Sequence, residues 1–189
     1  MDVPDSELMS RLAAGDDLAL NALMKRWGDR ISAYLFRMTG QRETAVDLAQ
    51  ETFVKLYQAR GRYKPQGHFS TYLFAIASNL ARNHSRWKAR HPTVSIDATD
   101  IDGAEIYAEP TDPQQTPGEV ALSREKSVII HRAILSLPLD LREALTLFIH
   151  EQMSYAEIAQ LTHCSAKAVE TRIYRARQIL KEQLKELRA

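Results

Sequence analysis

Hydrophobic positions along the chain fall into runs with a helical repeat. Between residues 17 and 39, Leu20, Leu23, Met24, Trp27, Ile31, Leu35 and Met38 recur every three or four places, which is the signature of an amphipathic helix. Val46, Ala49, Phe53, Leu56 and Tyr57 repeat the pattern in 42 to 60, and Phe69, Leu73, Ile76, Leu80 and Trp87 repeat it in 69 to 88. These three stripes predict a helical bundle with its aromatics mainly in the core. The period then stops. The stretch HPTVSIDATDIDGAEIYAEPTDPQQTPGEV, 91 to 120, has four prolines and no sustained repeat, so it reads as a linker that cannot bury a core. Helical spacing returns with Val128, Ile129, Ala133, Ile134 and Leu137, and SLPLDLREALTLFIH restarts at Asp140, capped towards Glu143. The fold class expected is all-α: two small helical domains joined by a flexible linker.

The last two segments carry the most local detail. In SYAEIAQL, 154 to 161, Ser154 stands three places before Glu157, a capping-box start, and Tyr155, Ile158, Ala159 and Leu161 form an apolar side. Thr162, His163 and Cys164 predict a tight turn, Ser165 is placed to cap the next helix, and small Ala159 would let the two helices cross closely. That is a helix-turn-helix pattern without the glycine often found in its turn, and a plain helical hairpin shares most of it. In HCSAKAVETRIYRARQIL, 163 to 180, Val169, Ile173, Ala176 and Leu180 make an apolar stripe. Lys167, Thr171, Tyr174 and Gln178 point the opposite way with Arg175 beside them, and Arg172 and Arg177 lie on the flanks. The face could enter a DNA groove and the flanks could hold phosphates, although a solvated helix back can carry as many arginines.

Charge changes that balance. The formal net charge is only +1, but it is segregated. Residues 1 to 20 carry −4, 21 to 91 carry +9, 92 to 119 carry −7 with no Lys or Arg, and 120 to 189 carry +3. Two basic blocks joined by an acidic connector point to a polyanion partner for both blocks. The single cysteine, Cys164, excludes an internal disulfide and fits a reducing cytosol. It has no second cysteine at zinc-ligand spacing. No apolar run reaches eighteen residues and the start MDVPDSELMSRL lacks a signal core, so a cytoplasmic chain without membrane insertion is expected. No glycine loop for nucleotides, zinc spacing or catalytic triad is present, so neither enzymatic activity nor a cofactor is expected.

Four blocks then make a specific match. LAAGDDLAL, DLAQETF at 47 to 53, FSTYLFAIASN at 69 to 79 and SYAEIAQL…ETRIYRAR together resemble the bacterial RNA polymerase sigma factors of the extracytoplasmic-function class, in order and over nearly the whole chain. The resemblance implies a domain 2-like bundle over 1–91, an acidic linker over 92–119 and a domain 4-like helix-turn-helix domain over 120–189. It implies a promoter-specificity subunit whose partners are the polymerase core, through its clamp coiled coil and flap, promoter DNA and an anti-sigma factor. A sigma-like mimic that only sequesters a regulator, or an ordinary dimeric helix-turn-helix repressor, is the alternative; the first should lose the DNA-facing residues and the second has no need of DLAQETF.

By the same resemblance, DLAQETF is the clamp-docking helix, with Asp47, Gln50 and Glu51 outward and Leu48 and Phe53 at the bundle or interface edge. Tyr63, the loop Lys64 to His68, Tyr72 and Asn79 match positions that contact the minus-ten single strand, and Arg82 is among the basic residues that can neutralise its backbone. Tyr72 stands where a tryptophan is common, and Ala75 and Ser78 replace favoured arginines. In the second domain Lys167, Thr171, Arg172, Tyr174, Arg175 and Arg177 face or flank the minus-thirty-five element. Glu170 departs from a basic residue there, and its expected role is to accept from a cytosine amino group or to orient a neighbouring arginine.

Overall fold

In the computed structural model, residues 3–64, 67–91 and 117–185 are described. They fold as helices: α1 Asp5–Ala13, α2 Leu18–Thr39, α3 Arg42–Ala59, a 3-10 turn Arg60–Arg62, α4 Phe69–Arg90, α5 Pro117–Ser136, α6 Leu139–Ile149, α7 Tyr155–Thr162 and α8 Ala166–Gln183. Most of the acidic connector lies outside the described residues. Helix α1 is not among the three predicted stripes. It forms because Leu8, Met9 and Leu12 bury against α2, and Arg26 of α2 holds the Val3 carbonyl at 2.9 Å and pairs with Asp5.

The first bundle packs around α2. Trp27 meets Phe69 and Phe74 edge-on at 5.9 and 6.4 Å, and Tyr34 meets Phe74 at 5.2 Å. Phe74 and Tyr34 have no exposed surface, so each contributes about 1.5–3 kcal/mol by leaving water. The Tyr34 hydroxyl lies 2.5 Å from Ser78 Oγ, and burial pushes its pKa well above the ordinary tyrosine value. Three stripe members differ from expectation. Met24 and Val46 reach the surface, and Trp87 is 55% exposed, because each helix needs a narrower inward face than its apolar spacing offers. Ala45, not Val46, takes the inward place on α3.

In the second domain Leu141, Leu145, Ile158, Leu161, Val169 and Ile173 close a small core between α6, α7 and α8. The capping box at Ser154 and Glu157 is formed, and the Ser165 side chain caps α8 by accepting from the Ala168 N–H. His163 supplies the turn in place of glycine, with φ 54. Helix α6 begins at Leu139 after Pro138 without a side-chain cap, so the expected Asp140 cap is not made; Asp140 instead pairs with Arg172 at 3.4 Å.

The two domains lie against each other, α4 against α7 and α2 against α5 and α6, and their buried residues are continuous. Phe36 of α2 stacks on His131 of α5, with centroids 4.5 Å apart and planes 2° apart. Arg142 of α6 donates to the Met38 carbonyl at 2.6 Å, and to those of Leu135 and Leu137, so one guanidinium closes the carbonyl ends of α2 and α5. Arg30 and Glu151 pair across the seam at 2.9 Å. Gly40, with φ 74, ends α2 where a Cβ would come within 2.6 Å of Leu135.

Candidate nucleic-acid interface

Helix α3 presents Asp47, Gln50 and Glu51 to solvent, and Glu51 forms an i,i+4 pair with Lys55 at 3.3 Å. Phe53 does not join them. It is 4% exposed, because the inward stripe of Ala45, Ala49, Phe53 and Leu56 places it inside the bundle; it holds the helix but offers no surface. The exposed apolar groups are Val46 and Val54, one turn either side of Gln50. An alanine inside and a valine outside invert the size order that a hydrophobicity pattern assumes, so sequence reasoning missed this row.

At the start of α4, Tyr63 packs on Phe69 at 6.2 Å and on Tyr72 at 5.1 Å with a 59° tilt. Both tyrosines are half-buried, and burial pushes both phenols above their ordinary pKa. Tyr72 is thus neither core nor free: it is one half of a surface aromatic pair. Lys64 and His68 are exposed, while Pro65 and Gln66 between them lie outside the described residues.

Asn79 is exposed, and its Oδ1 accepts from Arg82 at 2.7 Å. Arg82 also pairs with Glu143 of α6 at 3.3 Å, and Glu143 is 2% exposed. Burial pushes the Glu143 carboxyl up, and the Arg82 charge partly offsets this. One turn before Asn79's neighbour Arg82, Ser78 is buried against Tyr34. An arginine at 78 would put its charge in that core, which gives the departure at this position a structural cause. Thr71 donates to Glu157 of α7 at 3.3 Å. The middle of α4 therefore lies beneath the helix-turn-helix domain.

On α8, Lys167, Tyr174, Arg175 and Arg177 are exposed and Thr171 is half-buried, donating to the Lys167 carbonyl at 2.9 Å. With Tyr155 of α7, four of these (Lys167, Thr171, Tyr174 and Arg177) line an open hollow of about 370 Å³. Tyr155 packs on Phe148 at 5.2 Å and Arg177 lies over the same ring at 5.3 Å; the apolar pattern of α7 hid Tyr155 as core. Arg172 is half-buried. Its guanidinium meets Asp140 at 3.4 Å and Cys164 Sγ at 3.6 Å, bracing α8 to α6 and the turn. Glu170 pairs with Lys167 at 2.9 Å, so its partner is a lysine and not a neighbouring arginine. Among the described residues no cluster of His, Cys, Asp and Glu is arranged for a metal ion, and no helix is long and apolar enough to cross a membrane.

Two family models match, Sigma-70 region 2 over residues 23–91 and Sigma-70, region 4 over residues 127–180. The chain is 35% identical over 187 residues to the RNA polymerase sigma-H factor of Pseudomonas aeruginosa, covering 97% of this chain and 95% of that one. It is 32% identical over 184 residues to the ECF RNA polymerase sigma-E factor of Haemophilus influenzae, covering 97% and 96%. Its fold is similar to CnrH, solved with the cytosolic domain of CnrY, at TM-score 0.68 and 24% identity over 96% of this chain and 97% of that one. It is likewise similar to the sigma factor RpoE of Bartonella quintana, solved with the anti-sigma factor NepR, at TM-score 0.66 and 19% identity over 87% and 96%.

Proposed function

Since the chain belongs to the extracytoplasmic-function sigma factors of the sigma-70 family, we propose that it docks on bacterial core RNA polymerase through α3, opens the minus-ten element with α4 and reads the minus-thirty-five element with α8. The observation that carries this is one chain holding two basic surfaces on two different helices, one in each domain. Helix α4 has no acidic residue along its length, and α8 exposes Arg175 and Arg177. Polymerase supplies the synthesis chemistry, so the chain contributes specificity and not catalysis, and it works in the cytoplasm where the polymerase is.

Asp47 and Glu51 offer carboxylates to clamp arginines, a charge-assisted contact, and Val46 and Val54 supply apolar area beside them. The Tyr63–Tyr72 pair gives an aromatic platform for unstacked bases, Asn79 an amide for a base edge, and Lys64, His68 and Arg82 neutralise the strand. Arg175 and Tyr174 meet bases in the groove, and Arg177 and Lys167 meet phosphates. The closed arrangement has Arg82 on Glu143 and Thr71 on Glu157, so the domains separate before α4 meets DNA. The 25 residues before α5, 92–116, span about 85 Å fully extended, which matches two elements about 85 Å apart along a duplex at 3.4 Å per base pair. An anti-sigma protein that recognises the closed arrangement is the further partner.

Run-off transcription with purified core polymerase on a library randomised at both elements tests the reading. Discrete transcripts from a selected promoter are expected, and the double variant Gln50→Arg, Glu51→Arg abolishes association with core while keeping its helical circular dichroism. Association without transcripts would leave a sigma mimic, and sequence-specific DNA binding without association an ordinary helix-turn-helix regulator.

A further inference from the structure

The end of α4 is exposed from Arg86 to Arg90, yet with His91 it holds an ordered aromatic pair. Trp87 is 55% exposed whereas Trp27 is 8% exposed in the core. Its indole stacks on the His91 imidazole, with centroids 4.9 Å apart and planes 23° apart. The His91 ring nitrogen Nδ1 and its backbone N–H both lie 3.0 Å from the Trp87 carbonyl. The pair is thus fixed as a flat plate facing solvent. Leaving an indole in water forgoes most of the stabilisation that burial would give.

Charge around the plate narrows what covers it. From Phe69 to His91 there is no Asp or Glu, and Arg82, Arg86 and Arg90 recur at i, i+4 and i+8, so they form one row along the helix. Arg86 is aimed along the row, donating to Asn83 Oδ1 at 3.0 Å and to the Arg82 carbonyl. Among the described residues, the acid that reaches this row from the neighbouring domain, Glu143, meets it at Arg82, more than a turn before Trp87. A flat aromatic surface inside a cationic row fits a polyanion that also carries flat and methyl-bearing groups, which is nucleic acid. A protein partner would be expected to meet a larger apolar patch with fewer charges.

Position along the helix says which part of the DNA. Trp87 stands eight residues beyond Asn79, about 12 Å along the axis at 1.5 Å per residue, or roughly three to four base pairs at 3.4 Å each. The same end of α4 leads into the connector towards the domain that reads the minus-thirty-five element, so it lies on the upstream side. Resting on the function proposed above, we infer that the Trp87–His91 plate, with Arg86 and Arg90, is a contact for the promoter duplex immediately upstream of the minus-ten element. The indole lies on sugar and thymine-methyl surface, and the two arginines hold phosphates. Unlike Arg82, Arg86 and Arg90 have no ion pair with an acid among the described residues, so this contact is available before the domains part.

The test uses holoenzyme with the full chain and the promoter that wild type selects. One probe starts at the upstream edge of the minus-ten element; the other extends about one helical turn further as duplex, short of the minus-thirty-five element. Trp87→Ala is expected to weaken binding to the longer probe about tenfold, within the range for loss of an aromatic contact to DNA, and to the short probe less than twofold. Trp87→Phe restores most of the loss, and Arg90→Ala weakens the longer probe alone. Thermal unfolding of Trp87→Ala matches wild type because the side chain is exposed. Equal loss on both probes, or no loss on either, overturns the inference; weakened retention of core polymerase with DNA affinity unchanged overturns it in favour of a protein contact. A wild-type holoenzyme that selects no promoter fails the functional reading itself, and the plate falls with it.

Discussion

His131 joins three elements at one imidazole. It stacks on Phe36 of α2, and burial, with the charges of Arg37 on α2 and Arg142 on α6, lowers its pKa from 6.5 to about 4. Between those values the unfolded chain binds a proton that the folded chain refuses. The stability from neutral His131 is therefore complete above about pH 6.5 and lost as pH falls towards 4. His150, also lowered to about 4 by burial and Arg37, acts in the same direction. Glu143 and Glu151 are raised by burial and act oppositely, taking protons in the folded state first, so they offset part of the acid loss. His131 Nε2 has no hydrogen-bond partner among the described residues. His131→Phe keeps the stack and removes the orphaned nitrogen, so it should be neutral or stabilising at pH 7. At pH 5 the variant should exceed wild type by about 1–2 kcal/mol, read by urea denaturation at both values.

Helix α8 separates residues that sequence spacing treats alike. Arg175 is exposed while Arg172 is braced on Asp140. Arg175→Ala should cost roughly 1–3 kcal/mol of specific binding and relax one minus-thirty-five position. Arg172→Ala should lower thermal stability by about 0.5–1 kcal/mol and leave the salt dependence of DNA binding nearly unchanged. Selection from a randomised upstream element and thermal unfolding give the two readouts. The difference marks how far the sequence could be read. Periodicity placed α2, α3 and α4 within a residue or two and the start of α8 at its Ser165 cap, and the capping box at Ser154 was legible because its partners are three residues apart. Arg172–Asp140 and Arg82–Glu143 were not, since their partners come from other helices and nothing local announces them. Trp87 was read as core for a related reason: helical spacing says that a face exists, not how wide the neighbouring helices make it.

At the scale of the whole molecule the seam between domains decides what α4 can touch. Gly40 sits there with φ 74 and the end of the Leu135 side chain against its hydrogen, so Gly40→Ala strains the α2 cap and should cost about 1–2 kcal/mol in thermal unfolding. Glu143→Gln keeps the shape and removes the charge that holds Arg82. Glu143→Gln should raise the open fraction, seen as a larger radius of gyration in solution scattering. Glu143→Gln should also tighten binding of the free chain to a single-stranded minus-ten oligonucleotide about tenfold, because apparent affinity scales with the competent fraction. Wild-type affinity in that variant would show that Arg82 is not the contested group.

The seam has a thermal consequence. It combines apolar contact, as at Phe36 and Leu135, with the pairs Arg82–Glu143 and Arg30–Glu151, whose carboxylates are buried. Apolar association weakens on cooling, and the desolvation cost of ion pairs falls on warming, so both push the same way. Cold should loosen the two halves and warmth draw them together, opposite to the fraying expected of a simple hinge. Energy transfer between dyes on α2 and α8 should fall as the solution is cooled from 37 °C. The free chain would then behave as a thermometer whose promoter-ready form is the cold one.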